Sequence, residues 1–222
     1  EINGYLEQGN GILFEGAQGC LLDRTFGTLP FVTSSNTGFG AVSVGAGVPP
    51  HRVERRLGVV KAYQTRVGSG PFPTELEGPA LNHLREVGGE YGATTGRPRR
   101  CGWLDLPLLR YAHALNGFGE LVLTKLDVLQ GLDEINVCTH YQLGNTKIDR
   151  LGPWTHEFNQ VTPIYQALEG FQEDLGEINN WKDLPPAVQN LVNLIESECG
   201  APIAMISTGP GRKEIIRRSS AL

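Results

Sequence analysis

The segment Glu120–Leu129, ELVLTKLDVL, constrains the fold more than any other stretch of the chain. Its apolar core is short, built of Leu and Val, and bounded by polar residues, which is the pattern of a central buried strand. Further strands are expected at Gly11–Phe14 (GILF), in the LGVVKAY run that follows a helix end within Val53–Tyr63, at the alternating Glu134–Gln142, and at Pro202–Ile206. Helices are expected at Pro79–Val87, where Leu81, Leu84 and Val87 recur every three residues, and at Leu104–Leu115. A third is expected at Pro185–Cys199, with Val188, Leu191, Val192 and Ile195 on one face. Gly209-Pro210 is expected to turn the last strand into a closing helix. Residues 33–47 read as a loop-rich stretch with little packing potential, and Asn145–Asp183 as a polar surface excursion. Strands alternating with helices give an α/β class with a largely parallel central sheet flanked by helices. No repeat, low-complexity tract or linker divides the chain.

With 222 residues, 40% of them hydrophobic, the chain can form one sizeable core or part of a larger one. Its net charge of −5 disfavours nucleic acid or an acidic membrane as a partner, so any anion site must be local. Cys20, Cys101, Cys138 and Cys199 are scattered, without C-x-x-C spacing or paired histidines. They read as reduced thiols of a cytosolic protein rather than a zinc site or a disulfide frame. No apolar run approaches membrane-spanning length. The start, Glu1-Ile2-Asn3-Gly4, has no initiator Met or signal peptide and reads like the middle of a protein. Much of the glycine, 29 residues in all, falls in short runs beside Thr, Ser and Arg, where backbone can approach a phosphate or a base.

Four pieces carry chemistry. Thr124-Lys125-Leu126-Asp127 lies at the C-terminal end of the central strand, where open α/β sheets place ligands. The two oxygens of Asp127 match the N1–H and N2 amino donors that guanine presents side by side, while the Lys125 stem packs along the ring. The pattern resembles the T/N-K-x-D base-reading signature of GTP-binding proteins. Alone, a solvated Lys and Asp at a strand end is the commoner occurrence. Ile206-Ser207-Thr208-Gly209-Pro210 offers a small-residue wall for the same site, although many strand-to-helix turns look alike. In Gly92-Ala93-Thr94-Thr95-Gly96-Arg97-Pro98-Arg99-Arg100, two hydroxyls precede three arginines, a set suited to carboxylates or phosphates rather than to a bare solvated loop. In Phe14-Glu15-Gly16-Ala17-Gln18-Gly19, Gln18 can both donate and accept, as a purine edge requires. Val32-Thr33-Ser34-Ser35-Asn36-Thr37 suits a phosphate.

LFEGAQG, FVTSSNT, KAYQTRVGSGPFPTEL, YGATTGRPRRCGWLD, LTKLDVL and ISTGP follow one another in the order and spacing of the adenylosuccinate synthetase family, which nearly the whole chain resembles. The resemblance is weakest between Asn145 and Asp183. It implies a P-loop-NTPase-like, GTP-dependent ligase fold, of which residues 1–222 form the C-terminal part of a single domain. It also implies a two-step reaction. GTP phosphorylates the 6-oxygen of IMP, and the amine of L-aspartate then displaces phosphate to give adenylosuccinate. By motif position, Gln18 is expected at the hypoxanthine edge and its 6-phosphoryl form, Thr33 at the IMP phosphate, and Val67, Ala93, Thr94, Thr95 and Arg97 around aspartate. Arg97 is also expected near the IMP ribose. Arg99, Lys125, Leu126, Asp127, Ser207, Thr208 and Gly209 are expected at GTP.

The family's G-D-E-G-K-G phosphate loop, its catalytic Asp and His and its Mg²⁺ ligands are not in this sequence, so the chain alone is expected to lack ligase activity. The resemblance further implies a cytoplasmic homodimer. Two departures stand out: Pro98 interrupts what is commonly a run of arginines, and Phe26 stands where His is frequent. Two other readings remain open on the residues, a non-catalytic guanine-nucleotide-binding module and a relative acting on another purine nucleotide.

Overall fold

β4 (Glu120–Thr124) forms the middle of a four-stranded sheet, with β1 (Leu57–Lys61) on one side and β8 (Ile203–Ser207) on the other, both parallel to it. The computed structural model describes residues 1–92, 96–150 and 158–218. Leu121 and Leu123 of β4 are fully buried, together with Ile203 and Ile206 of β8. The sheet ends in β9 (Ile215–Arg217), which runs antiparallel to β8. A second sheet holds β2 (Tyr63–Arg66), β3 (Arg100–Asp105), β5 (Glu134–Leu143) and β6 (Thr146–Ile148), with β7 (Thr162–Glu169) also paired to β5. Among the described residues only β3 and β5 run parallel there; the other pairs are antiparallel. The α/β class and its parallel central sheet are present, flanked by helices, and the second, mixed sheet lies beside it.

One continuous run of chain serves both sheets. LGVVKAYQTR leaves the first sheet at Lys61, crosses at the buried Ala62, and enters the second at Tyr63. The Ala62 amide still donates to the Thr124 carbonyl (2.9 Å), so the crossing stays attached to β4. α1 (Ile2–Glu7) and α2 (Gly40–Ala46) lie at the N-terminal end, and α3 (Gly78–Val87) follows β2. α4 (Leu106–Asn116) begins with Pro107 in its first turn, is capped by the Asp105 carboxylate on the Leu108 amide (3.1 Å), and ends at a left-handed Gly117. α5 (Pro186–Cys199) buries Val188, Leu191, Val192 and Ile195, as its apolar spacing requires, and stops at a left-handed Gly200.

Several expectations need correction. GILF forms no strand among the described residues, and Leu13 is 88% exposed. Residues 33–47 contain α2, a helix of small residues with no buried side chain. The expected helix at Leu104 starts two residues later, because Leu104 and Asp105 complete β3 and Asp105 serves as the cap. β4 stops at Thr124 and is followed by a single 3-10 turn at Asp127–Leu129. The polar excursion contains β6 and β7. The closing helix is β9: after the Gly209–Gly211 turn, Ile215 and Ile216 continue the ladder opposite Ser207 and Ile206.

Two buried carboxylates fix distant segments. Asp23 is 3% exposed and gathers the 18–38 arch. Its oxygens accept the amides of Thr25 (2.8 Å), Phe26 (3.0 Å) and Thr37 (2.6 Å). Burial opposes its charge, but these amides and that of Gly38 outweigh it and hold the pKa below the usual carboxylate value. Asp105 is fully buried and accepts from the Leu108 amide and from the Tyr141 hydroxyl (2.6 Å), joining β3, α4 and β5. Here burial wins over Tyr141, Leu108 and the Arg110 charge, and the pKa is pushed up to about 7.

Asp23→Asn turns one acceptor into a donor facing backbone donors. It should cost about 1–3 kcal/mol of local stability. The Thr25, Phe26 and Thr37 amides would then exchange faster while those of β4 stay protected; unchanged exchange at all three would remove Asp23 as the organiser. The raised pKa of Asp105 means that its contribution to stability is fully present below its unfolded pKa of about 4 and is lost as pH rises through about 7. Asparagine does not ionise, so Asp105→Asn should gain stability relative to the parent between pH 5 and pH 8 in urea unfolding. A difference independent of pH would contradict this.

Candidate functional site

The C-terminal ends of β1, β4 and β8 lie level with one another: Lys61 is opposite Thr124, and Leu123 is opposite Ile206. The next residues of all three strands therefore form one rim. Past Thr124 the chain turns sharply at Lys125, whose φ of 62° lies in the left-handed region that side chains rarely adopt. This conformation costs about 1 kcal/mol and lets the strand pass directly into the Asp127–Leu129 turn. Leu126, fully buried, anchors the turn, and the Lys125 ammonium donates to the Gly88 carbonyl (3.0 Å). The carboxyl of Asp127 is half-buried at the rim. Burial pushes its pKa up and Glu214 adds to the rise, while backbone amides and Lys125 act in the opposite sense.

The β8–β9 turn forms the facing wall. Ser207 Oγ donates to the Gly209 carbonyl (2.8 Å), and the Thr208 amide donates to the Glu214 carbonyl (2.9 Å). Thr208 is buried, and among the described residues its hydroxyl has no hydrogen-bond partner. The Glu214 side chain lies so close that a Cβ on Gly209 would come within 2.7 Å of its carboxyl carbon, so any larger residue there would displace that carboxylate. The wall is thus a hairpin turn filled by a carboxylate and not a helix N-terminus. The amide of Gly211 is directed at Glu214.

Beside this rim lies an open cleft of about 1580 Å³, which Gln18, Lys61, Arg66, Val67 and Arg99 help to line. Gln18, like Lys125, has a left-handed backbone (φ 62°), and its side-chain carbonyl accepts from Ser35 at 3.5 Å. Val67 is exposed at the end of β2. Next to it, the buried Arg66 guanidinium donates to Thr28 Oγ1 (2.9 Å) and to the carbonyls of Phe31 (3.2 Å) and Ser69 (3.1 Å). This ties β2 to the loop that carries Thr33, whose own amide donates to Leu22 (2.8 Å). Burial, and then Arg100, push the Arg66 pKa down.

The three arginines after Gly96 differ in their surroundings. Arg97 is exposed, and its carbonyl accepts from Gly92 (2.8 Å). Arg99 pairs with Glu90 (2.7 Å), and Arg100 is held by both oxygens of Glu75. Ala93, Thr94 and Thr95 lie outside the described residues. The rim thus brings Lys125, Leu126 and Asp127 together with Ser207, Thr208 and Gly209, while Gln18, Val67 and Arg99 share the cleft. Thr33 and Arg97 are not part of the cleft lining. Sequence reasoning missed Glu90, Lys61 and Asp23, single polar residues each with at least one partner distant in the chain. Among the described residues, no group of three or more His, Cys, Asp or Glu could hold a metal ion.

The family model for adenylosuccinate synthetase matches residues 1–216. The adenylosuccinate synthetase of Halothermothrix orenii is 49% identical over 213 residues, which make up 96% of this chain and 50% of that protein. That of Streptomyces griseus is 47% identical over 221 residues, 100% of this chain and 52% of that protein. The fully ligated adenylosuccinate synthetase of Plasmodium falciparum superposes with a TM-score of 0.95 at 40% identity, covering 98% of this chain and 52% of that one. A cyanophage S-2L succinoaminodeoxyadenylate synthetase, solved with dGMP and dATP, shares the fold at a TM-score of 0.56 and 19% identity, over 93% of this chain and 46% of that one. The chain spans about half the length of the curated relatives it matches. With a family match over nearly its whole length, the chain belongs to the adenylosuccinate synthetase family.

Proposed function

We propose that this chain is the C-terminal part of a GTP-dependent ligase that joins IMP to L-aspartate, forming adenylosuccinate, GDP and phosphate. The observation that carries the reading is the rim, where a half-buried carboxylate after β4 and a glycine-bearing turn after β8 follow adjacent strand ends that lie level with one another. Asp127 would accept from the two guanine donors, with Lys125 along the ring and Ser207–Gly209 on the other side. The left-handed backbones at Lys125 and Gln18 support the assignment, because such conformations persist where the surroundings enforce them and they concentrate at functional sites.

Gln18, at the edge of the cleft, would hold the hypoxanthine edge through its paired donor and acceptor, and Thr33 would bind the IMP phosphate. Val67, Ala93, Thr94, Thr95 and Arg97 would enclose aspartate, with the guanidinium of Arg97 matching a carboxylate. Arg99 would reach the nucleotide. Phosphorylating the 6-oxygen of the purine converts a poor leaving group into phosphate, which the aspartate amine displaces. Positive groups around the transferred phosphoryl stabilise its charge. The family uses Mg²⁺, and its ligands would come from outside the described residues.

The cleft supports a partner half. Small-molecule pockets measure about 300–1,000 Å³, and this opening exceeds that range. Among the described residues β1 pairs only with β4, and its Val59 is 74% exposed, whereas strands of a parallel sheet are normally covered on both faces. The remaining length of the enzyme would extend the sheet at β1 and bring the phosphate loop and catalytic groups to the cleft. A cytoplasmic homodimer is the assembly that the family suggests. No helix among the described residues is long and apolar enough to cross a membrane.

The full-length protein should form adenylosuccinate from IMP, L-aspartate and Mg²⁺ with GTP and not with ATP; product with neither nucleotide would leave only a binding module. Asp127→Asn should shift nucleotide preference from guanine toward xanthine by about a hundredfold or more, since unpaired polar groups at a base-reading site reject strongly. Unaltered GTP preference would remove Asp127 from the base site. Arg97→Leu should raise the KM for aspartate by about a hundredfold with the KM for GTP unchanged; equal losses for both would contradict its role.

A further inference from the structure

Glu90 is 0% exposed, and three donors from separate parts of the chain converge on its carboxylate. Lys61 Nζ (2.8 Å) and the Tyr63 hydroxyl (2.6 Å) donate to Oε1, and Arg99 Nη1 (2.7 Å) donates to Oε2. Burial alone would push the pKa of Glu90 up, but these three partners outweigh it and keep the group ionised. The backbone reinforces the same pairing. The Arg99 amide donates to the Glu90 carbonyl (2.8 Å), the Gly92 amide to Arg97 (2.8 Å), and Tyr91 bridges to Pro98. The segment between Glu90 and Arg99 is therefore closed at its base by main chain and side chain together. Through its other oxygen, Glu90 fastens that base to the residues on either side of Ala62, where the chain crosses between sheets. The cluster also lies within electrostatic reach of the rim, since Asp127 is among the charges that raise the Tyr63 pKa, after burial and Glu90.

We propose that Glu90 is a positioning residue that clamps the paired main chain of residues 90–92 and 97–99 to the C-terminal end of β1, presenting Arg97 and Arg99 to their substrates from one fixed base. The identity of those substrates rests on the ligase reading, whereas the clamp rests on the geometry alone. A carboxylate suits this role because its two oxygens can face two different elements while one charge neutralises both Lys61 and Arg99 in part. Glutamine has the same shape, but its amide places a donor against one of these donor groups. Aspartate keeps the charge but is one methylene too short to reach both sides.

In the full-length enzyme, Glu90→Gln should raise the KM for aspartate by about tenfold or more while kcat changes by less than about threefold, because misplaced binding groups weaken positioning before they alter the chemical step. Glu90→Asp should recover part of that loss. Lys61→Gln removes the charged partner on the scaffold side of the clamp, leaving the Tyr63 bond, and should give the same split between KM and kcat in weaker form, which keeps the test open if Glu90→Gln folds poorly. Amide exchange should accelerate at Gly92 and Arg99 in both the Glu90→Gln and the Lys61→Gln proteins and stay slow at Leu121 and Leu123. A fall in kcat with unchanged KM, or parent-like exchange at Gly92 and Arg99, would overturn the clamp. A parent enzyme that makes no adenylosuccinate would defeat the ligase reading, and the exchange measurement would still decide the clamp.

Discussion

The parallel ladder that sets β4 between β1 and β8 determines where everything else at the site can be. Its register brings three strand ends level, so residues far apart in sequence, Lys61, Thr124 and Ser207, end their strands at the same height. The ladder itself is a product of burial. Leu121, Leu123, Ile203 and Ile206 are removed from water, and slipping the register by one residue would move such side chains to the opposite face. The polar groups at the rim contribute little to holding the sheet together. They occupy positions that the apolar packing has already fixed.

Around that sheet, loops rich in Gly, Ser and Thr have little apolar surface with which to hold a shape, and buried charges hold them instead. Asp23 collects amides from both ends of the 18–38 arch, and Arg66 joins that arch to β2. Glu90 closes the base of the arginine loop. At each of these positions one ionised group substitutes for what several hydrophobic contacts would do elsewhere. Removing any of them leaves unpaired polar partners, which is more damaging than losing an equal number of surface contacts. Gly70 shows how closely these groups fit: its φ is 116°, and a Cβ there would lie 2.3 Å from the Arg66 guanidinium.

The parts of the fold that were legible in the sequence are those whose signal is local. α5 announces itself through Val188, Leu191, Val192 and Ile195, and β4 and β8 through short apolar runs. β7 does not, because most of its residues are exposed or half-buried and its partner β5 is reached only through non-local pairing. β9 was obscured by a glycine-proline turn that reads equally well as the start of a helix, and the carboxylate of Glu214 filling that turn has no sequence signature. The same division applies to the candidate site. Asp127 and Ser207–Gly209 could be singled out because they sit at strand ends in a recognisable order. Glu90 is a lone acid with no periodicity around it, and its role depends on Lys61, Tyr63 and Arg99 arriving from three places.

The crossing at Ala62 is a crease between two sheets, and creases are where a molecule bends most easily. Here both neighbours of the crease, Lys61 and Tyr63, donate to a single oxygen atom of Glu90, so opening the angle between the sheets works against a hydrogen bond to a buried carboxylate. The other oxygen of that carboxylate holds Arg99. The joint between the two sheets and the placement of that guanidinium thereby depend on one and the same carboxylate.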